Sequence, residues 1–322
     1  MLAQGAANPS PRTCARVAAP WGSDRASGTG RRPFRTAQRL ADSLRPGTTG
    51  CLRSGVYWGG IRISRPMTTL RPFLHERVTV AGRIYVRRQA HATRIVGLRL
   101  NGLNRARLPS PTVNANDVVF DRVNVSNRNS AICFVIGSQW GRAQRTVIRD
   151  SRIHNCGRLP AANHDHGIYV EAADDTQIIG NVIFANADRG IQLYPDAQRT
   201  LIRDNVIDAN GEGVLLSGDH GKSAGSTLIE HNVITNSRER ANVESFYPPG
   251  TPPGRNNVVR HNCLFGGTGG NVDLASGGFE AFDNVVAAPD YADPAASDYT
   301  VDPQGPCGRW LALTAQDASR LP

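Results

Sequence analysis

The sequence predicts an all-β solenoid, a single chain wound into parallel coils, and three observations carry that expectation. One phrase recurs five times between Thr176 and about Asn284, a second phrase recurs in step with it, and no stretch within either repeat is long enough for a helix. The first phrase reads Thr176-Gln-Ile-Ile-Gly-Asn181-Val-Ile183, then Thr200-Leu-Ile-Arg-Asp-Asn205-Val-Ile207 and Thr227-Leu-Ile-Glu-His-Asn232-Val-Ile234. It ends as Asn257-Val-Val-Arg-His-Asn262-Cys-Leu264 and Phe279-Glu-Ala-Phe-Asp-Asn284-Val-Val286. Its asparagines are 24, 27, 30 and 22 residues apart, the period of a solenoid coil.

The second phrase reads His166-Gly-Ile-Tyr-Val-Glu171, Arg189-Gly-Ile-Gln-Leu-Tyr194 and Glu212-Gly-Val-Leu-Leu-Ser217, then more loosely Ala241–Phe246 and Gly270–Ala275. Each unit therefore carries two β-rich runs. Period-2 alternation turns Ile168/Val170, Ile191/Leu193 and Val214/Leu216 to one side, with Tyr169, Gln192 and Leu215 on the other. Short strands in register, none able to bury its inner face alone, make a parallel β-helix.

These alternating I-x-x-N-x-I and G-I-x-L phrases resemble the right-handed parallel β-helix repeat of pectate-lyase-like and related carbohydrate-active proteins. The resemblance covers about residues 55–290. It specifies the coil closely and the substrate loosely, because the fold hosts lyases, hydrolases, epimerases, tailspikes and adhesins.

Taken in order, residues 1–32 are rich in Ala, Gly, Pro, Ser and Arg and are expected to form an irregular arm. Residues 33–45 place Phe34, Ala37, Leu40, Ala41 and Leu44 at helical spacing between Pro33 and Pro46-Gly47, which predicts a capping helix over the open end of the core. The coils of the β-helix domain follow, and residues 291–322 read as an irregular closure, with Trp310 and Leu311 as candidate end cover. Six cysteines and no CxxC pair argue against zinc or thioredoxin-like chemistry. Pairing in chain order (Cys14 with Cys51, Cys133 with Cys156, Cys263 with Cys307) is preferred because each bridge would join neighbouring coils; buried free thiols are the alternative. Disulfides imply an extracellular or cell-surface protein, although Met1–Pro20 carries no apolar run of signal-peptide length. No stretch approaches a membrane span, and a monomer is expected.

The net charge of +10 is almost entirely arginine, with Lys222 the sole lysine. Biased codon usage explains this as well as a field that attracts an acidic polymer. Scattered cations without an aromatic platform argue against nucleic acid.

The repeating asparagines are read as a structural ladder, since Asn tolerates left-handed turns and its amide can bond up and down a stack. Chemistry is sought in the polar residues that do not repeat. His164, Asp165, His166, Tyr169 and Glu171 surround one strand; Asp188, Arg189, Gln192, Tyr194 and Asp196 occupy the next coil. Glu212, Asp219, His220 and Lys222 follow, then Glu244 and Tyr247. Strands about 4.8 Å apart would make these one exposed wall, with His166, Arg189 and Glu212 before the strand and Glu171, Tyr194 and Ser217 after it. A solvated polar face is the simpler account.

Three activities fit the wall. Uronate β-elimination, the first choice, needs a base and a cation beside the substrate carboxylate: His166 or Lys222 as base, Arg189 as neutraliser, Tyr169 or Tyr194 as proton donor. Some β-helix lyases use a lysine base and a helping arginine, but their flanking pattern is missing here. Glycoside hydrolysis or epimerisation is the alternative, with paired carboxylates such as Glu171 and Asp196 or Glu212. The third is a rod that binds glycan without chemistry. Either no cofactor is needed, or calcium sits among Asp165, Asp188, Glu212 and Asp219; zinc on His164, His166 and Asp188 is the weaker reading.

Overall fold

In the computed structural model, which describes residues 13–318, the chain winds into three parallel sheets that share one apolar core. The first sheet runs from Arg16–Ala18 to Glu280–Phe282, the second from Gly55–Trp58 to Val285–Val286, and the third from Ile61–Ile63 to Val272–Asp273. Each coil thus holds three strands where the sequence suggested two. The asparagine phrase itself bends: Leu201–Arg203 lies in the first sheet, Val206–Asp208 in the second, and Asp204 between them takes φ +56°. His231, His261 and Asp283 repeat that left-handed turn at the same place in later coils.

The turn is held by the predicted ladder. Asn205 Oδ1 accepts from the Asn181 backbone N–H (2.9 Å) and side-chain amide (3.0 Å), and its own amide donates to Asn232 Oδ1 (2.9 Å) and to Ile178 O (2.8 Å). The pattern continues through Asn262 to Asn284. A second ladder escaped the sequence reading: Asn186 Nδ2 donates to Asn210 Oδ1 at 2.9 Å, at the bend entering the third sheet. Every buried amide in these stacks finds a partner, so the turns can be dry.

Inward positions follow the period-2 reading. Ile168, Val170, Ile191, Leu193, Val214 and Leu216 are all fully buried. The glycines that open these strands leave no room for a side chain, since a Cβ on Gly190 would lie 2.9 Å from Gly213 O.

The ends differ from expectation. Arg16–Ala18, placed in the irregular arm, is a strand paired with Thr49–Leu52, because Val17 and Ala18 complete the core there; residues 1–12 lie outside the described part. The capping helix is present but shorter, Ala37–Ser43, with Leu40 and Ala41 buried. It starts late because Asp24 accepts from the Arg35 and Thr36 amides and holds them extended, leaving Thr36 as N-cap to the Arg39 N–H. The closure is regular, with an antiparallel hairpin of Tyr291–Asp293 and Asp298–Val301 followed by the helix Pro306–Ala318. Tyr299 packs on Phe184 and on Tyr291, and the Tyr291 hydroxyl meets Thr235 Oγ1 at 2.8 Å, so the hairpin covers the outer face of the second sheet. Leu311 joins Val206, Val233 and Val285 on that flank and does not cover the core's end. Bonds join Cys14–Cys51, Cys133–Cys156 and Cys263–Cys307, the chain-order pairing. The C-terminal segment therefore clothes the outer face of the second sheet.

Candidate functional site

Three consecutive strands of the third sheet are the longest in the chain: Ile168–Asp174, Arg189–Gln198 and Glu212–Asp219. They outrun their neighbours because a register shift after Val170 lets Ala172, Ala173 and Asp174 pair with Asp196, Ala197 and Gln198 beyond the ordinary end of the sheet. The outward column is Tyr169, Gln192, Leu215 and Glu244, rung over rung.

The row preceding the strands is not the exposed wall expected. His166, Arg189 and Glu212 are 3%, 5% and 1% exposed, and the segment 157–165 lies against Arg189. Asp188 holds that segment down by accepting the successive backbone amides of Asn163 (2.9 Å), His164 (2.7 Å) and Asp165 (2.6 Å). Arg189 donates to the Asn163 carbonyl at 3.1 Å and to its side-chain oxygen, while its Nε reaches Glu212 Oε2 at 2.8 Å. Asp165 is paired with Arg158. Burial drives the His166 pKa well below the ordinary histidine value, with Arg189 and His164 pushing the same way. Burial also pushes Glu212 up to about 8, against Arg189 and with the help of Glu244. As packed, His166 cannot act as a base on a polymer and Arg189 cannot neutralise one: the first is covered, and the guanidinium of the second is committed.

The calcium and zinc readings fail on geometry. Both Asp188 oxygens are taken by backbone amides, Asp165 by arginine, and Asp219 lies at the turn into the short antiparallel strand Lys222–Ser223, where it accepts from Tyr194. Among the described residues no three His, Cys, Asp or Glu side chains gather as metal ligands.

Other expected contacts also fall elsewhere. Glu244 is buried against Arg240 (3.1 Å), and Tyr247 turns its hydroxyl toward Gly254 and Gly278. Gln192 is covered beside Arg189, whereas His164 and His220 are exposed on turns.

What remains open is the far end of the long strands. Tyr169 and Tyr194 stack with centroids 6.3 Å apart, and both phenols are shifted up by burial first, then Tyr169 by the Glu171 charge and Tyr194 by its bond to Asp219. Glu171 is half-buried and its pKa is raised by burial alone. On the adjoining strand Asp196 accepts from Arg142 (2.9 Å) and Gln198 (3.1 Å) and lies 3.4 Å from Lys222 Nζ; although burial opposes it, these partners lower its pKa. Arg142 also grips Asp174 at 2.6 Å. Two carboxyls on neighbouring rungs are thus pushed in opposite directions, beside a pair of stacked rings.

Sequence reasoning missed Arg142 and Trp140. The available signal was an irregularity: Gly137-Ser-Gln-Trp-Gly-Arg142 interrupts a phrase that elsewhere runs straight through. Gly137 has φ +72°, and a Cβ there would fall 1.8 Å from Ala172 O, so the chain must leave the sheet at this glycine.

Comparison with known proteins gives a matching architecture. The family model described as the right handed beta helix region matches residues 112–282. The crystal structure of pectate lyase Pel9A superposes with TM-score 0.62 at 13% identity, over 91% of this chain and 86% of that one. XylC in complex with xylose gives 0.61 at 12% identity, over 80% and 68%. A mutant tailspike protein of E. coli bacteriophage HK620 in complex with a pentasaccharide gives 0.52 at 12% identity, over 73% of this chain and 49% of the tailspike. No curated protein matches the sequence.

Proposed function

Since the chain belongs to the family of right-handed β-helix proteins, we propose that it is an exported carbohydrate-active protein that cleaves an extended polysaccharide on its third face, by hydrolysis centred on Glu171 and Asp196. The observation that carries this reading is the opposed shift of those two carboxyls on adjoining rungs. A carboxyl whose pKa is raised by burial is the better suited of the two to give a proton to the glycosidic oxygen. A carboxylate held ionised by Arg142 and Lys222 can face the developing positive charge at the sugar carbon, or orient water. Tyr169 and Tyr194 offer an aromatic surface for a sugar ring beside that pair. Three disulfides support an oxidising, extracellular setting.

A second reading keeps β-elimination. Lys222 is exposed at the same carboxylate, where its amine could meet an acidic substrate, with Tyr169 as proton donor. One panel separates the outcomes: purified protein incubated with neutral and uronate polymers, read for new reducing ends and for ultraviolet absorbance of an unsaturated product. Reducing ends without absorbance favour hydrolysis, and absorbance favours elimination. Glycan retained with neither signal would leave a binding rod and refute both. Glu171→Gln should lower turnover about 10²–10⁴-fold if that group is the acid; unchanged turnover moves the chemistry elsewhere.

A further inference from the structure

We propose that the loop Gly137–Arg142 builds a separate subsite that holds an anionic sugar unit, bearing a carboxylate or a sulfate, on the N-terminal side of the carboxyl pair. This rests on the reading above that the third face takes a polysaccharide. A cavity of about 530 Å³ lies there, lined among others by Arg88, Asn114, Gln139, Trp140, Arg142 and Gln144.

The loop is built to present an aromatic ring. Ser138 and Gly141 exchange backbone hydrogen bonds (3.1 and 3.0 Å), which leaves Gln139 and Trp140 as the tip of a tight hairpin. Ser138 Oγ donates to Asn114 Oδ1 at 2.8 Å and accepts the Trp140 N–H at 3.1 Å, and a Cβ on Gly141 would lie 2.9 Å from Asn114 O. Asn114 is itself fixed by the Tyr85 hydroxyl at 3.0 Å. The indole is nonetheless 72% exposed. A large apolar ring left in water on a backbone fixed by these bonds contributes little to the fold, whereas an exposed flat ring on a rigid loop is what the face of a sugar stacks upon.

Most of the remaining lining suits that guest, and Asp117, the one carboxylate among the lining residues, is paired with Arg145. The amide of Gln139 can give and accept hydrogen bonds to hydroxyls. Arg142 has its charge shared between Asp174 and Asp196, whereas among the described residues no ion pair engages Arg88. Arg88 is therefore the cation left for an acidic substituent, and its planar fork suits carboxylate or sulfate oxygens. Arg142 lines the cavity and also bonds Asp196, so a unit held here is tied to the position of the carboxyl pair.

The test measures binding on the full chain carrying Glu171→Gln, so that turnover does not intervene, by calorimetry with oligosaccharides of polygalacturonate, of a sulfated glycan and of neutral xylan. Trp140→Ala should weaken binding tenfold or more, and Trp140→Phe should restore most of it. Arg88→Gln should weaken only the anionic ligands and flatten their salt dependence, with thermal unfolding unchanged. The preferred anion, carboxylate or sulfate, names the source. Equal affinity for xylan, undiminished binding in Trp140→Ala, or no binding of any panel member would each overturn the proposal. Failure of the hydrolytic reading shows separately, as turnover that persists in Glu171→Gln.

Discussion

Glu212 makes the folding stability depend on pH in a direction opposite to that of most carboxylates. Its folded pKa of about 8 lies above the ordinary 4.5, so between those values the folded chain holds a proton that the unfolded chain has released. The contribution of this group is fully favourable below about pH 4.5, declines as pH rises, and reaches its unfavourable limit above about pH 8. Moving a carboxyl that far corresponds to roughly 5 kcal/mol against the ionised form, spread at about 1.4 kcal/mol per pH unit. Glu212→Gln removes the titration while keeping an oxygen for the Arg189 Nε–H. Above about pH 8 it also leaves the buried guanidinium of Arg189 without the carboxylate it faces, so absolute stability shifts there and the slope is the readout. Urea unfolding of the oxidised protein at intervals from pH 5 to 9 should show wild type losing several kcal/mol relative to the variant. Parallel curves for the two proteins would show that Arg189 keeps Glu212 ionised in the fold, and the burial argument would fail.

Activity should be bell-shaped in pH. Its alkaline limb is set by Glu171, shifted up, and its acid limb by Asp196, shifted down, so Asp196→Asn should abolish the acid limb along with most turnover. Asn205→Ala removes the acceptor of two Asn181 N–H donors and the amide that bonds the Ile178 carbonyl; a loss of about 2–4 kcal/mol is expected in equilibrium unfolding. Gly137→Ala meets both a left-handed backbone and the Ala172 carbonyl. The melting temperature should fall and, if the further inference holds, glycan affinity should fall with it, because the clash displaces the Trp140 hairpin.

The coil itself was legible in the chain because its determinants are local and repeated. Asn205 or Ile191 meets the same environment as its copies one coil away, so a periodic pattern reports burial, register and turn together. The stacking of Tyr169, Gln192 and Leu215 follows from that periodicity, and so does the pairing of cysteines between adjacent coils. The site was legible only as a neighbourhood. Whether Arg189 faces water depends on the segment 157–165, whose course is fixed by Asp188 accepting three amides from the previous coil. Arg142 reaches Asp196 across 54 residues of sequence, through a loop that obeys no repeat. Periodicity fixes which residues share a column, because each strand must bury one face. Which column stays open is decided by the non-repeating segments laid over it, and their positions exist only once the coils have stacked.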